Sequence, residues 1–227
     1  MPKDPSLKGS NLLFVAFSNL SSRVVHLADQ IAVVVVAGGE STRLGTFKPL
    51  AILKGSPLIS YALDIAFTAS PHVYLLLKNP EQESLLKDEL SGRGVKIILE
   101  PPKGPPYPAS LTRCLSGVSE DLIFLMGCDT PMLNPSLPRL LQDQMGPYSA
   151  AVPVWPNGYV EPLAALYRKS SLPKNEVNNM RKLLELMKAK LVKIEDLGVH
   201  PASFFNINSK EDLDIAGILI QMTSIST

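Results

Sequence analysis

Ile31-Ala32-Val33-Val34-Val35-Val36-Ala37-Gly38-Gly39 is the stretch that decides the architecture. It is apolar at every position from Ile31 to Ala37 and rich in β-branched residues, and the glycine pair ends it. A strand with one wet face would alternate polar and apolar residues, so an unbroken run predicts a parallel strand covered on both faces. The pattern repeats outward. Pro57 to Ala69 has helical spacing, with Leu58, Tyr61, Leu63 and Ile65 among its apolar positions. Ser56 is placed to cap that helix, and Pro57 suits its first turn. Val73 to Leu77 reads as a strand, Pro80 to Leu90 as a charged helix and Val95 to Leu99 as a third strand. After a proline-rich loop over 101–108 come a helix from Ala109 to Val118 and a buried strand from Leu122 to Met126. A helix from Pro135 to Gln144 and a strand from Ala150 to Val154 follow. Such alternation predicts an α/β fold: a Rossmann-like three-layer sandwich, with a mostly parallel sheet and helices on both faces. Farther on, the pattern predicts strands over Pro162–Tyr167, Leu191–Ile194 and Phe204–Ile207. It also predicts a helix over Asn179–Lys190 and a last helix capped by Ser209.

Composition narrows the function. The chain has 227 residues, with 22 Lys+Arg against 21 Asp+Glu, a formal net charge of +1. That balance supplies neither a nucleic-acid footprint nor a polybasic membrane anchor. Its two cysteines, Cys114 and Cys128, exclude a disulfide scaffold and fit a reducing, cytoplasmic setting. The three histidines, His26, His72 and His200, lie far apart without metal-ligand spacing. No apolar run approaches the roughly 20 residues of a membrane span. Residues 1–30 break from the sheet pattern and contribute no site residue. They are expected to form an extension ahead of one domain over 31–220, with 221–227 as a tail.

In an open parallel sheet, ligands bind beyond the carboxyl ends of the strands. After the first strand stands Ala37-Gly38-Gly39-Glu40-Ser41-Thr42-Arg43-Leu44-Gly45-Thr46-Phe47-Lys48-Pro49-Leu50. Glycines there let backbone N–H groups approach phosphate oxygens, and Arg43 and Lys48 add cationic charge. The spacing matches neither the P-loop nor the dinucleotide fingerprint. After the fourth strand stands Gly127-Cys128-Asp129-Thr130-Pro131-Met132. Its Asp129 is placed to hold a hard cation such as Mg²⁺ against phosphate oxygens. Cys128, in a buried run, reads as packing rather than as a nucleophile.

Together these motifs resemble the nucleotidyltransferases that move an NMP onto a phosphate acceptor, and in particular the molybdenum cofactor guanylyltransferase family. Glu161-Pro162-Leu163-Ala164-Ala165-Leu166-Tyr167 and Phe204-Phe205-Asn206-Ile207-Asn208-Ser209 resemble that branch as well. The resemblance implies a nucleotide-diphospho-sugar transferase-like fold and transfer of GMP from GTP to molybdopterin, with pyrophosphate release and Mg²⁺ as cofactor. Cytidylyl transfer to the same cofactor, another phosphate acceptor, or a non-catalytic cofactor chaperone are the alternatives. The resemblance assigns Lys48, Arg43 and Asp129 to catalysis, with Asp129 holding the metal. It gives Val36, Ala37, Gly38, Gly39, Ser41, Lys48, Asn79, Glu100 and Asp129 to the nucleotide, and Glu161, Asn206 and Asn208 to the acceptor. Molybdenum-insertion proteins or molybdoenzymes are the implied protein partners. Two positions depart from the family pattern. Phe47 stands where the family often has Asp, and Glu100 lies beside the place of a guanine-binding Asp.

Overall fold

In a computed structural model, residues 30–39, 44–101 and 108–225 are described. The run Ile31–Val36 forms β1, an interior strand, third from one edge, of a sheet of seven strands. In chain order the other strands of that sheet are β4 (His72–Leu77), β5 (Lys96–Leu99), β6 (Leu122–Gly127), β7 (Ala150–Val154), β8 (Ala164–Arg168) and β9 (Ala189–Lys193). Their order is β5-β4-β1-β6-β8-β7-β9, and a separate hairpin pairs β2 (Ile52–Leu53) with β3 (Ser56–Pro57). β1 pairs in parallel with β4 and with β6, so its carboxyl end is flanked by theirs. From β1 the chain steps out through β4 to β5, then crosses to β6 on the other side. The switch point therefore falls between β1 and β6.

The unbroken apolar run of β1 has its explanation in two cores. Ile31, Val33, Val35 and Ala37 face a cluster that holds Ile59, Leu63 and Ala66 of α1 (Leu58–Ala69) and Leu137 and Leu141 of α5 (Leu137–Met145). Ala32 and Val34 face the other, with Leu111 and Leu115 of α4 (Ala109–Leu115) and Leu183 and Leu184 of α6 (Met180–Leu186). Each fully buried aliphatic side chain stabilises the sandwich by roughly 1.5–3 kcal/mol. Phe47 packs against the first of these clusters, which accounts for an apolar residue there. A third, smaller core joins Leu44, Leu53, Leu58 and Ile207 to Ala216 of α7 (Lys210–Ile225). No described helix is long and apolar enough to cross a membrane.

Several elements differ from the pattern-based expectation. β8 begins at Ala164 and runs antiparallel to both β6 and β7; periodicity carries no direction, so the sequence could not show this. Pro80–Leu90 is two short helices, α2 (Pro80–Leu85) and α3 (Lys87–Leu90), broken at the buried Leu86. Ser56 and Pro57 do not start α1. They pair with Ile52 and Leu53, and no side chain caps the helix. The Asn179–Lys190 helix ends at Leu186, and Lys188 turns with φ of 46° into β9, which starts two residues before the expected Leu191. Phe204–Ile207 is not a strand. Pro201 opens a 3-10 turn over Pro201–Phe204, with His200 Nδ1 accepting from the Ala202 N–H at 3.1 Å. The Ile207 N–H then donates to the Asp129 carbonyl at 2.9 Å instead of to a ladder.

Both cysteines are buried and free. Burial pushes the Cys114 thiol up to about 11, with the Glu100 charge adding to the effect and Arg113 opposing it. Cys128 is also pushed up, by burial first and by the charge of Asp129 second. Native protein at pH 8 should react with Ellman's reagent at neither thiol, while protein unfolded in guanidinium should titrate both. Cys114 keeps its proton in the fold at a pH where the free thiol loses it, so stability should fall as pH rises from about 9 towards about 11. Rapid labelling of native protein at pH 8 would show that these thiols are not buried in solution.

Candidate active site

The carboxyl end of β1 carries Gly38. A Cβ there would lie 3.0 Å from the Lys78 nitrogen, so glycine lets the loop leave β1 against the end of β4. Gln82 locks this approach: its Oε1 accepts from the Lys78 N–H at 2.8 Å, and its Nε2 donates to the Gly38 carbonyl at 3.3 Å. Sequence reading missed Gln82; its signal is an amide buried within an otherwise charged helix. Asn79 caps α2 with its side chain, accepting from the Gln82 N–H at 3.0 Å. Glu100 stands half-buried one residue past β5, its N–H donating to the Leu77 carbonyl at 2.9 Å. The expected Ser41 and Arg43 fall outside the described residues.

Past β6 the chain turns sharply. Cys128 N–H donates to the Val36 carbonyl at 3.1 Å, tying the turn to β1, and the Thr130 hydroxyl donates to the Gly127 carbonyl at 3.0 Å. A Cβ on Gly127 would run into Asp129 Oδ1, so only glycine lets that carboxylate fold back over the strand end. Lys48, in a 3-10 turn over Lys48–Leu50, meets it there. Lys48 Nζ donates to Asp129 Oδ2 at 2.8 Å and to Asn208 Oδ1 at 2.8 Å. The two charged side chains keep 17% and 22% of their exposure, enough to be reached by a ligand and little enough to weaken water's screening.

Asn208 and Asn206 do not share the face of a strand as the sequence suggested. Asn208 turns to Lys48, whereas Asn206 donates back to the Phe204 carbonyl at 3.4 Å. Ile207 between them is fully buried, as expected. Ser209 caps α7 reciprocally: its Oγ accepts from the Asp212 N–H at 3.2 Å, and Asp212 Oδ2 accepts from the Ser209 N–H at 2.9 Å. The Asn208 N–H donates to the same oxygen at 2.8 Å and is foremost in holding the Asp212 carboxyl below its usual range.

Because β8 runs against β6, its beginning lies at the carboxyl end of the sheet and brings Glu161 to the crevice. Glu161 Oε1 accepts from Trp155 Nε1 at 2.7 Å, and the Trp155 and Phe204 rings meet edge-on at 5.9 Å. Burial pushes the Glu161 carboxyl up, the indole hydrogen bond opposes this, and the charge of Asp129 adds to it. Trp155 is a second residue that sequence reading passed over, although it is the only tryptophan in the chain. Two cavities of about 470 and 550 Å³ lie elsewhere, beside α2–α3 and along α4, and include none of Lys48, Asp129, Asn208 or Glu161.

Comparison with known proteins identifies the family. The chain is 26% identical over 188 residues to the "Probable molybdenum cofactor guanylyltransferase" of Bacillus licheniformis, covering 80% of this chain and 93% of that protein. It is 28% identical over 189 residues to the protein of the same name from Thermococcus sibiricus, covering 79% and 94%. Among solved structures, the molybdopterin-guanine dinucleotide biosynthesis protein A of Archaeoglobus fulgidus shares the fold with a TM-score of 0.71 at 23% identity, covering 84% of this chain and 99% of that one. Residues 33–192, which carry most of β1, the glycine loop, Lys48, Asp129 and Glu161, match the MobA-like NTP transferase domain. The chain belongs to the MobA-like NTP transferase domain family and is a nucleotidyltransferase.

Proposed function

We propose that this protein transfers GMP from GTP to the terminal phosphate of molybdopterin or the molybdenum cofactor, releasing pyrophosphate. The observation that carries this reading is Lys48, whose ammonium lies 2.8 Å from both Asp129 and Asn208 at the switch point of the sheet. One cation there joins the glycine loop after β1, the acidic turn after β6 and the segment before α7. Those are the places that a triphosphate and an anionic acceptor must share. The names of the curated relatives supply the guanine nucleotide and the acceptor.

The reaction needs no covalent enzyme intermediate. The acceptor phosphate oxygen attacks the α-phosphorus in line, the bond to the bridging oxygen breaks, and pyrophosphate leaves with that electron pair. Catalysis then rests on positioning and on neutralising charge. Lys48 donates to triphosphate oxygens once they displace its present partners, and the N–H groups around Gly38 and Gly39 orient the phosphates. Glu100, past β5, offers a carboxylate able to accept from the adjacent N1–H and 2-amino donors of guanine. Glu161, Asn206 and Asn208 form the acceptor wall, where their amides and carboxylate can meet a pterin's polar edge.

The residues present also fit Mg²⁺. Asp129 and Glu161 offer hard oxygen donors, and among the described residues no group of three or more His, Cys, Asp or Glu could enclose a metal. That donor set suits an ion that fills its remaining positions with phosphate oxygens and water. Asp129 would hold it, and when bound the ion supplies Lewis-acid neutralisation of the phosphate charge.

Three measurements test this reading. Thermal-shift assays with each of the four NTPs and Mg²⁺ should show selective stabilisation by GTP; equal or greater stabilisation by CTP would move the assignment to a cytidylyltransferase. Lys48→Ala removes charge-assisted hydrogen bonds worth about 1.5–3 kcal/mol each, so kcat/KM for GTP should fall at least about tenfold. Wild-type kinetics would reduce Lys48 to an ordinary ion-pair partner. Asp129→Asn keeps the side chain's shape over Gly127, so the melting temperature should barely move. Pyrophosphate release should nonetheless drop roughly 10²-fold, about 3 kcal/mol in the barrier. Excess Mg²⁺ should restore part of it, and full activity at low Mg²⁺ would place the metal elsewhere.

A further inference from the structure

Glu161 is held at its backbone and, separately, at its side chain. The β6–β8 ladder sets Met126 opposite Ala164, and the Gly127 N–H donates to the Leu163 carbonyl at 3.2 Å. Asp129 follows Gly127 by two residues and Glu161 precedes Leu163 by two, so both carboxylates leave the ladder at the same end of the β6–β8 pair. Glu161 N–H donates to the Pro153 carbonyl at 3.0 Å, which fixes its backbone against the end of β7. Its side chain is fixed separately, by the 2.7 Å bond from the Trp155 indole. The indole in turn rests against Phe204, itself buried, in the segment that leads to the Ile207–Asp129 contact. A carboxylate tied this firmly at one oxygen has little freedom to swing away from Asp129.

The electrostatics make this placement informative. Asp129 and Glu161 bring two carboxylates to the crevice, and of the described cations only Lys48 bonds to either of them. An acceptor phosphate entering on the Glu161 side would meet repulsion unless a further cation stood between them. On the nucleotidyl-transfer reading above, on which this inference rests, we propose that Glu161 is a second carboxylate ligand of the divalent cation held by Asp129, and that Trp155 is the positioning residue that aims it. A cation shared by the β6 turn and the start of β8 would sit between the nucleotide and acceptor walls. It would turn the most repulsive spot for the acceptor phosphate into an attractive one.

Mn²⁺ is a suitable probe, because it replaces Mg²⁺ on oxygen ligands and quenches a nearby fluorophore. Trp155, the only tryptophan in the chain, is already beside the proposed ligand. In wild-type protein with GTP, Mn²⁺ should quench tryptophan emission saturably, with a Kd that matches free Mn²⁺ counted by electron paramagnetic resonance. Glu161→Gln preserves an acceptor for the indole but removes the charge, so it should weaken Mn²⁺ at least about tenfold while GTP binding in EDTA stays unchanged. Trp155→Phe keeps both carboxylates and loosens only the tether. By resonance counting it should weaken Mn²⁺ by about tenfold, the usual scale for losing a partner that orients a ligand. If Glu161→Gln does not fold, this second variant alone decides the matter. Should Asp129→Asn lose Mn²⁺ while Glu161→Gln and Trp155→Phe keep wild-type affinity, Glu161 serves the acceptor only and the inference falls. If all three variants keep wild-type affinity, the metal assignment of Asp129 falls with it.

Discussion

A single ammonium, that of Lys48, lies 2.8 Å from a carboxylate 81 residues later in the chain and 2.8 Å from an amide 160 residues later. Each partner is delivered by a different device. The 3-10 turn at Lys48 follows the loop from β1, the strand end at Gly127 delivers Asp129, and the capping box of α7 fixes the backbone of Asn208. The contact is therefore a meeting point for the parallel half of the sheet, the switch point and the C-terminal helix. Without a ligand the three groups satisfy one another, which avoids leaving a half-buried charge unpaired. On the proposed reaction, a triphosphate would take over the Lys48 ammonium.

What could be read in the sequence was whatever burial or local chemistry writes in adjacent residues. The all-apolar run of β1 announced a strand covered on both faces, because odd positions meet α1 and α5 while Ala32 and Val34 meet α4 and α6. Glycines around the first loop, Asp129 after β6 and the Ser209-Asp212 box were legible for the same reason. Lys48 was singled out by its motif, but its pairing with Asn208 was not, because no local pattern encodes a contact across most of the chain.

The failures have physical causes too. Phe204–Ile207 looks like a strand because it is apolar and aromatic, yet Pro201 starts a tight turn and the Ile207 amide is taken by Asp129. The Ile52–Pro57 hairpin has two residues per strand, too short for any periodicity to register. Pro80–Leu90 keeps helical composition throughout, and only its packing shows the break at Leu86. The role of Trp155 depends on a turn that folds it back over Glu161, with Gly158 at φ of 83° allowing the reversal.

The reversed strand β8 has a consequence for how such a scaffold can change its chemistry over time. The part of the sheet made of β5, β4, β1 and β6 is all parallel, so its strands are joined by crossover connections. The proposed acceptor wall hangs instead from the turn between β7 and β8 and from the segment before α7. Insertions in the β7–β8 turn ahead of Glu161 would remodel the proposed acceptor side without lengthening any parallel crossover. The antiparallel strand thus gives the site end of the sheet a hairpin turn that can change length independently of the parallel crossovers.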